Sequence, residues 1–334
     1  MVPVIWIDDG TNIMVESVLW TLSMQKFSME ELVLDLDRIT GTIESTLITQ
    51  SITKVRKCQL FGVQPGQLEI ILGAVSEDLN LSLNTIYLGG SGVVHVSPKI
   101  LAEAAVKLTR LDLCDCTSGQ IEAILTRLAN TEEIKLCKLN FYGSRIDVSH
   151  LPIDTMVVAL MKLENICELI LKLILSPGLI SLLMIQIRDT NDLKFSMLHL
   201  DCVDTSQLAS DVLVGAITRL DKVWVNVTPP QLQTLFSRIQ FGRSHLKKLV
   251  LYFSDLCSLT VEDLLGAFRM LECVRFNGNL TTLQVIAILA MLNDGSQGRL
   301  RSLSLYLEEK KTDEDAINLL EAAEGNDILD FSFY

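Results

Sequence analysis

The 334-residue sequence predicts an α/β repeat fold, in which short parallel strands alternate with helices and stack side by side. Three observations predict it. A short apolar pattern, L-x-x-L-x-L, recurs along the whole chain. Between its copies, the apolar spacing changes from every second residue to that of one helix face. The residues that start the helices also repeat, with a hydroxyl side chain followed three positions later by glutamine or an acidic residue.

The apolar pattern defines thirteen consecutive repeats. It is plainest in LTRLDL from Leu108, LKKLVL from Leu246 and LRSLSL from Leu300. Successive starts lie 25 to 30 residues apart, and every pattern position is apolar if cysteine is counted as such. Each copy predicts a strand whose three pattern residues point into the core. The repeats start at Val2, Met29, Val55, Leu83, Leu108, Leu136, Ile166, Phe195, Leu220, Leu246, Leu271, Leu300 and Ile328.

Helices are predicted between the strands. One apolar face is formed by Ile121, Ile124, Leu125 and Leu128, and another by Leu232, Leu235, Phe236 and Ile239. Proline is tolerated at the first helical residue, because no hydrogen bond of the helix needs its missing N–H there. Four prolines fall at predicted first positions, namely Pro65, Pro98, Pro177 and Pro229.

The helix starts fall into two types. In one type a capping box is predicted, in which a threonine and a glutamine three residues later each satisfy the other's backbone N–H. The pairs are Thr117 with Gln120, Thr228 with Gln231 and Thr281 with Gln284, and Gln64 with Gln67 is a weaker version. The glutamines are 53, 111 and 53 residues apart, so the two types alternate. The other type is represented by Thr260 with Asp263 and by Thr312 with Asp315.

Strand–turn–helix repeats of this length, with L-x-x-L-x-L and two alternating types, resemble leucine-rich repeats of the ribonuclease-inhibitor-like subfamily. The resemblance covers nearly the whole chain. It implies a right-handed, horseshoe-shaped solenoid with a parallel sheet on the concave side and helices on the convex side. It is specific for the fold and says little about function, because one fold carries many functions.

No linker interrupts the array, so residues 1–334 are predicted to form a single leucine-rich repeat solenoid. A repeat of this size buries its apolar face only by stacking on its neighbours, and terminal repeats normally need polar caps. The first and last repeats have no such cap in this sequence. We therefore expect either a fragment of a longer protein or ends that associate with missing flanking domains or another chain.

Composition argues against several classes of protein. A net charge of -13 argues against nucleic-acid binding, which needs a basic footprint on the phosphates. The start, MVPVIWIDDG, lacks the basic segment of a secretory signal. The longest uncharged stretch, Leu173 to Ile187, is shorter than the ~20 residues of a spanning helix. Eight cysteines without a C-x-x-C pair predict reduced thiols, no metal site and a cytoplasmic location.

No catalytic chemistry is predicted. The four histidines fall in four separate repeats, and no nucleophile–base pair or metal-ligand spacing is present. Gly89 to Gly92 resembles a glycine-rich phosphate loop, but the lysine and hydroxyl residue that should follow are missing, so a flexible turn is expected. We predict that the protein is not an enzyme and that it has no catalytic residues, no cofactor and no metal.

Aromatic residues are concentrated at the positions predicted to face the concave cavity, which alternate with the pattern residues. All five tyrosines fall there, together with Trp6, His199 and Trp224. The preference of tyrosine for strands explains part of this bias. Tyrosine and tryptophan also anchor protein interfaces. Seven basic and seven acidic residues share these positions, so the predicted concave face is neutral overall.

The sequence therefore predicts a module that binds a protein partner on its concave face. The candidate contact residues are Tyr87, Tyr142, His199, Trp224, Tyr252, Arg275 and Tyr306. An alternative is a regulator of an enzyme, such as a GTPase activator, for which Arg145 is the best exposed candidate, or a ribonuclease-inhibitor-like inhibitor. A purely structural array is a third alternative. The identity of the partner does not follow from the sequence.

Overall fold

The computed structural model describes most of the chain, and strands and helices alternate along it. The chain divides into two compact units, Met1–Leu175 and Ser176–Tyr334, and each unit has its own parallel sheet. The described residues are 4–8, 11–24, 29–39, 42–77, 82–142, 146–148, 150–164, 173–174, 176–200, 203–307, 314–323 and 327–333.

The first unit contains a six-stranded parallel sheet whose strands follow the order of the chain. These strands are β1 (Val4–Ile7), β2 (Met29–Asp35), β3 (Val55–Phe61), β4 (Thr85–Gly89), β5 (Arg110–Cys114) and β6 (Lys138–Tyr142). A second pair of short parallel strands is formed by β7 (Ile146–Asp147) and β8 (Leu173–Ile174). The helices are α1 (Asn12–Met24), α2 (Ser45–Ile52), α3 (Pro65–Glu77), α4 (Pro98–Ala105), α5 (Ser118–Asn130) and α6 (Ile153–Met161).

The second unit repeats the same design with another six-stranded parallel sheet in chain order. Its strands are β9 (Met197–Leu200), β10 (Lys222–Val225), β11 (Lys248–Asp255), β12 (Cys273–Asn279), β13 (Ser302–Leu307) and β14 (Leu329–Phe333). Its helices are α7 (Pro177–Asp189), α8 (Ser210–Ile217), α9 (Pro229–Gln240), α10 (Val261–Met270), α11 (Thr282–Asn293) and α12 (Glu314–Ala322). The four prolines predicted to begin helices do so, in α3, α4, α7 and α9.

The apolar pattern forms the core of each sheet, as the sequence predicts. Its middle residues are paired directly from strand to strand, through Leu32, Cys58, Ile86, Leu111 and Leu139 in one sheet and Leu198, Val223, Leu249, Val274 and Leu303 in the other. Every pattern residue from Met29 to Phe141 and from Phe195 to Leu305 is buried. Burying one such side chain contributes roughly 1.5–3 kcal/mol, so these stacked rows hold the repeats together.

The predicted register of the last repeat is wrong by two residues. Phe331, expected in the middle position, pairs with Leu305, and Leu329 pairs with Leu303 instead. The run Leu329, Phe331, Phe333 alternates and fits either register equally well. Because side chains alternate with a period of two, a shift of two keeps the same set on the inner face, and Leu329 is buried there.

Some predicted features lie outside the described residues. They include the strand expected from Ile166, the alternative candidate Arg145, and Tyr334. One continuous solenoid over residues 1–334, its handedness and its curvature stay predictions. Residues 165–172, near the end of the first unit, are outside the described part of the chain.

Buried glutamines connect neighbouring repeats. Gln120, at the start of α5, accepts a hydrogen bond from the Thr117 backbone N–H at 2.9 Å, which completes the predicted capping box. Its amide group also donates to the carbonyls of Val93 and Val96 in the turn of the preceding repeat, at 2.7 and 2.9 Å. The side chain is fully buried. We call this arrangement, a helix cap that also bonds the preceding turn, a glutamine clamp.

The same clamp recurs at the other predicted capping glutamines. The amide of Gln231 donates to Thr205 and Leu208, and that of Gln284 donates to Leu256 and Leu259. The amide of Gln67 donates to the Ile43 carbonyl. Each clamp joins one repeat to the repeat before it. The clamped helix bonds the turn that precedes the previous helix, and the helix pairs are α2 with α3, α4 with α5, α8 with α9 and α10 with α11.

The clamp can be tested with Gln231→Met, which keeps the length of the side chain and removes its hydrogen bonds. Two carbonyls and one N–H are then left without their bonding partner in a buried site, which costs about 3 kcal/mol of the free energy of unfolding. Chemical denaturation followed by circular dichroism measures this loss. Gln233→Met on the exposed face of the same helix is the matched control and should leave the transition unchanged. Equal transitions for the two variants would contradict the role of the clamp.

Candidate binding surface

The residues that alternate with the buried pattern form the outer surface of each sheet. We call the surface on β1–β6 the first face and the surface on β9–β14 the second face. Direct register aligns Trp6, Val33, Gln59, Tyr87, Asp112 and Asn140 across the first face. It aligns His199, Trp224, Val250, Arg275 and Ser304 across the second. Residues about one repeat apart in sequence therefore become neighbours on one surface.

Tyr87 is the centre of an aromatic cluster on the first face. Its ring centroid lies 5.1 Å from that of Phe61 and 6.0 Å from that of Tyr142. Its hydroxyl oxygen is 2.8 Å from the sulfur of Cys114, within hydrogen-bond distance. Burial raises the pKa of the Tyr87 phenol above its ordinary value, and the hydrogen bond with Cys114 adds to the shift. The phenol is thus held in its neutral form beside the more exposed ring of Tyr142.

A charged network lies beside this cluster. Asp112 is only 5% exposed and accepts hydrogen bonds from Arg110 at 2.8 Å and from the Asn140 amide at 2.6 Å. The hydrogen bond to Asp112 raises the pKa of the Arg110 guanidinium. Together with Tyr87, the Arg110 and Asp112 side chains line an open cavity of about 330 Å³. Other lining residues are Glu31, Lys57, Gln59, Thr85 and Tyr142.

The second face pairs aromatic rings with cations. The Trp224 ring lies 5.2 Å from the His199 ring, and the Lys248 ammonium is 5.4 Å from the Trp224 centroid. The Arg275 guanidinium lies 4.5 Å from the centre of the Tyr306 ring. Both distances are within the range of cation–π attraction. These contacts hold long side chains against rings, so the surface is partly ordered before any partner binds.

The structure brings the seven predicted contact residues together only in part. Tyr87 and Tyr142 are in contact on the first face, and the pairs His199–Trp224 and Arg275–Tyr306 are in contact on the second. Tyr252 is half-buried on β11, where the register with β12 is interrupted between Leu251 and Ser254.

Several residues of the first face were not among the predicted contact residues. Phe61, Cys114 and Asn140 each touch a predicted residue or its charged neighbour. The signal that could have found them is the repeat itself. Each occupies a position that alternates with the pattern residues, and each partner lies about one repeat away in the sequence.

The glycine-rich segment after β4 has a packing role. A side chain at Gly92 would place its Cβ atom 2.2 Å from the Val63 carbonyl oxygen in the preceding turn. Gly90 has a φ of +96°, which side-chain-bearing residues rarely adopt. These glycines therefore let two successive turns approach closely, and the expected flexible loop is a packed turn.

Other predicted site chemistry can be compared with the described residues. Cys58, Cys114, Cys116 and Cys273 are free thiols. Burial raises the pKa of Cys116 to about 11, so this thiol stays protonated at neutral pH. In the part of the chain that the structure describes, no group of three or more metal-ligating side chains is found. None of its described helices is both long and apolar enough to cross a bilayer.

No family model matches the sequence, and no curated protein matches it either. Among solved structures, one similar chain is the leucine-rich repeat-containing protein LegL7 from Legionella pneumophila. It is 15% identical, with a TM-score of 0.37, and the match covers 97% of this chain and 98% of that chain. At this level of similarity, the interpretation of this protein rests on its own geometry.

The environment of Tyr87 predicts a pH dependence. An ordinary tyrosine ionises near pH 10, and burial moves the pKa of Tyr87 upward. Its contribution to stability is therefore complete below about pH 10 and is lost as the pH rises toward the shifted value. The ultraviolet absorbance of phenolate, recorded during titration of the wild type and of Tyr87→Phe, isolates this group. The difference should develop above pH 10. A difference that is already half developed at pH 10, as for an ordinary tyrosine, would contradict the upward shift of the Tyr87 pKa.

Proposed function

We propose that the protein is an interaction module that binds a protein partner through its outer strand surfaces. The observation that carries the proposal is the pairing of exposed-face aromatic rings with cations around Trp224 and Tyr306. Tryptophan, tyrosine and arginine are the residues that most often dominate the energy of protein interfaces. The seven contact residues of the proposal are Tyr87, Tyr142, His199, Trp224, Tyr252, Arg275 and Tyr306.

The local geometry supports this choice over a small-molecule site. The cavity beside Tyr87 is open, and its charged groups already bond to one another. A surface of rings held by neighbouring side chains suits a broad partner surface, because little side-chain freedom remains to be lost on binding. The strand–helix alternation and the capped helix starts support a leucine-rich repeat array of the ribonuclease-inhibitor-like kind. The free thiols support a reducing compartment such as the cytoplasm.

A role as an enzyme regulator would also use a protein partner. The residue expected to serve a GTPase activator, Arg145, lies outside the described residues. No contact of the described residues favours this role or that of a ribonuclease-inhibitor-like inhibitor over a binding module.

The proposal is tested with Trp224→Ala and Tyr306→Ala. The partner is first captured on the immobilised full chain and identified by mass spectrometry, and its affinity is then measured by calorimetry. Each variant should weaken binding by about 2 kcal/mol, or roughly 30-fold in Kd, if these rings anchor the interface.

Trp20→Ala provides the matched control, because Trp20 is 58% exposed but lies on helix α1. It should leave the affinity unchanged. Denaturation curves of all three variants exclude loss of the fold as the cause. Wild-type affinity in both Trp224→Ala and Tyr306→Ala would remove the second face from the binding site.

A further inference from the structure

We propose that the second face binds an acidic segment of the partner, held by Lys222, Lys248 and Arg275. This inference rests on the proposed function and adds the chemistry of the partner to it. The surface concerned is formed by the three cations together with Trp224 and Tyr306, and we call it the basic–aromatic patch. It lies on three consecutive strands, β10–β12, and on their neighbour β13.

Two cations of the first face have close acidic neighbours. On the first face, the Lys57 ammonium is 3.6 Å from the Glu30 carboxylate, and the Arg110 guanidinium is 2.8 Å from that of Asp112. Within the described residues, by contrast, no ion pair involves Lys222, Lys248 or Arg275. Among the described residues, the second face thus carries three cations that form no ion pair.

Two of these cations are placed against each other. Lys222 and Lys248 occupy directly paired positions on adjacent strands, where like charges are destabilising. The Trp224 ring offsets part of this cost, because it lies beneath the Lys248 ammonium. Carboxylates seated between the two lysines would turn the repulsion into attraction. The patch is therefore electrostatically complementary to an acidic ligand.

An acidic polypeptide fits the patch better than a nucleic acid does. Proteins that bind a phosphate backbone typically make about six to ten phosphate contacts, and the patch offers three cations. The rings that could stack on bases already contact Lys248, Arg275 and His199. Three adjacent strands span about 10 Å, and alternate side chains of an extended peptide are about 7 Å apart. Two or three carboxylates of one short segment can therefore reach the patch.

The probes are two labelled ten-residue peptides, one alternating glutamate with serine and the other alternating glutamine with serine. Their binding to the full chain is followed by fluorescence anisotropy at low ionic strength. The glutamate peptide should bind about ten-fold more tightly than the glutamine peptide, and added salt should reduce the difference.

The patch is tested with the double variant Lys222→Gln/Lys248→Gln. It should weaken binding of the glutamate peptide about five-fold or more. The matched control is Lys57→Gln/Lys138→Gln, which removes the same charge from equivalent positions of the first face and should change the affinity less than about two-fold. The denaturation midpoint of the patch variant should equal or exceed that of the wild type, because a like-charge pair is removed.

Each of the following results would overturn the proposal. The two peptides could bind equally or not at all, or both double variants could weaken binding equally. A twenty-nucleotide oligothymidylate could bind more tightly than the glutamate peptide and depend on the same lysines, which would assign the patch to nucleic acid. The partner could also bind the Lys222→Gln/Lys248→Gln variant normally but fail to bind Trp224→Ala. That result would support the proposed interaction module and contradict only the proposal that its ligand is acidic.

Discussion

The stacking of one repeat on the next is the constraint on which the rest of this structure depends. A single strand and helix cannot cover their apolar sides, so the pattern residues become a core only when neighbouring repeats align them. The direct pairing of Leu32, Cys58, Ile86, Leu111 and Leu139 shows this alignment in the first unit. Apolar contacts alone do not fix how two repeats are aligned. The buried glutamines do, because their amides donate hydrogen bonds to specific carbonyls of the preceding turn. Once the core is fixed, every second strand residue is left on the outer surface.

Sequence periodicity was sufficient to predict the strands of the two six-stranded sheets, the helices between them and the capped helix starts, because each depends on residues close together in the chain. It did not predict the short strands β7 and β8. It did not predict the second function of the capping glutamines. Gln120 looks like a local cap in the sequence, and its bonds to Val93 and Val96 exist only after the repeats stack. The register of β14 failed for another reason, since an alternating run such as Leu329 to Phe333 satisfies two registers equally.

On the outer surfaces, too, the sequence predicted the features that depend on nearby residues and did not predict the contacts between distant ones. The positions of Tyr87, Trp224 and Arg275 on a strand surface follow from alternation alone. Which ring meets which cation does not follow, because side chains such as Arg275 and Tyr306 choose among several neighbours on adjacent strands. The total charge of the predicted surface did not indicate how its charges are distributed either. It hides the pairing of Arg110 with Asp112 on the first face, whereas no ion pair of the three patch cations is found among the described residues of the second face.

The spacing of the glutamine clamps has a consequence for how such an array can change its length. Clamps occur in alternate repeats, so α2 with α3, α4 with α5, α8 with α9 and α10 with α11 behave as bonded pairs. Loss of the first repeat of a pair would leave the glutamine amide without its acceptors, and loss of the second would leave the turn carbonyls without a donor. Loss of a whole pair would leave neither. Over evolutionary time, duplications and deletions that survive should therefore add or remove two repeats together.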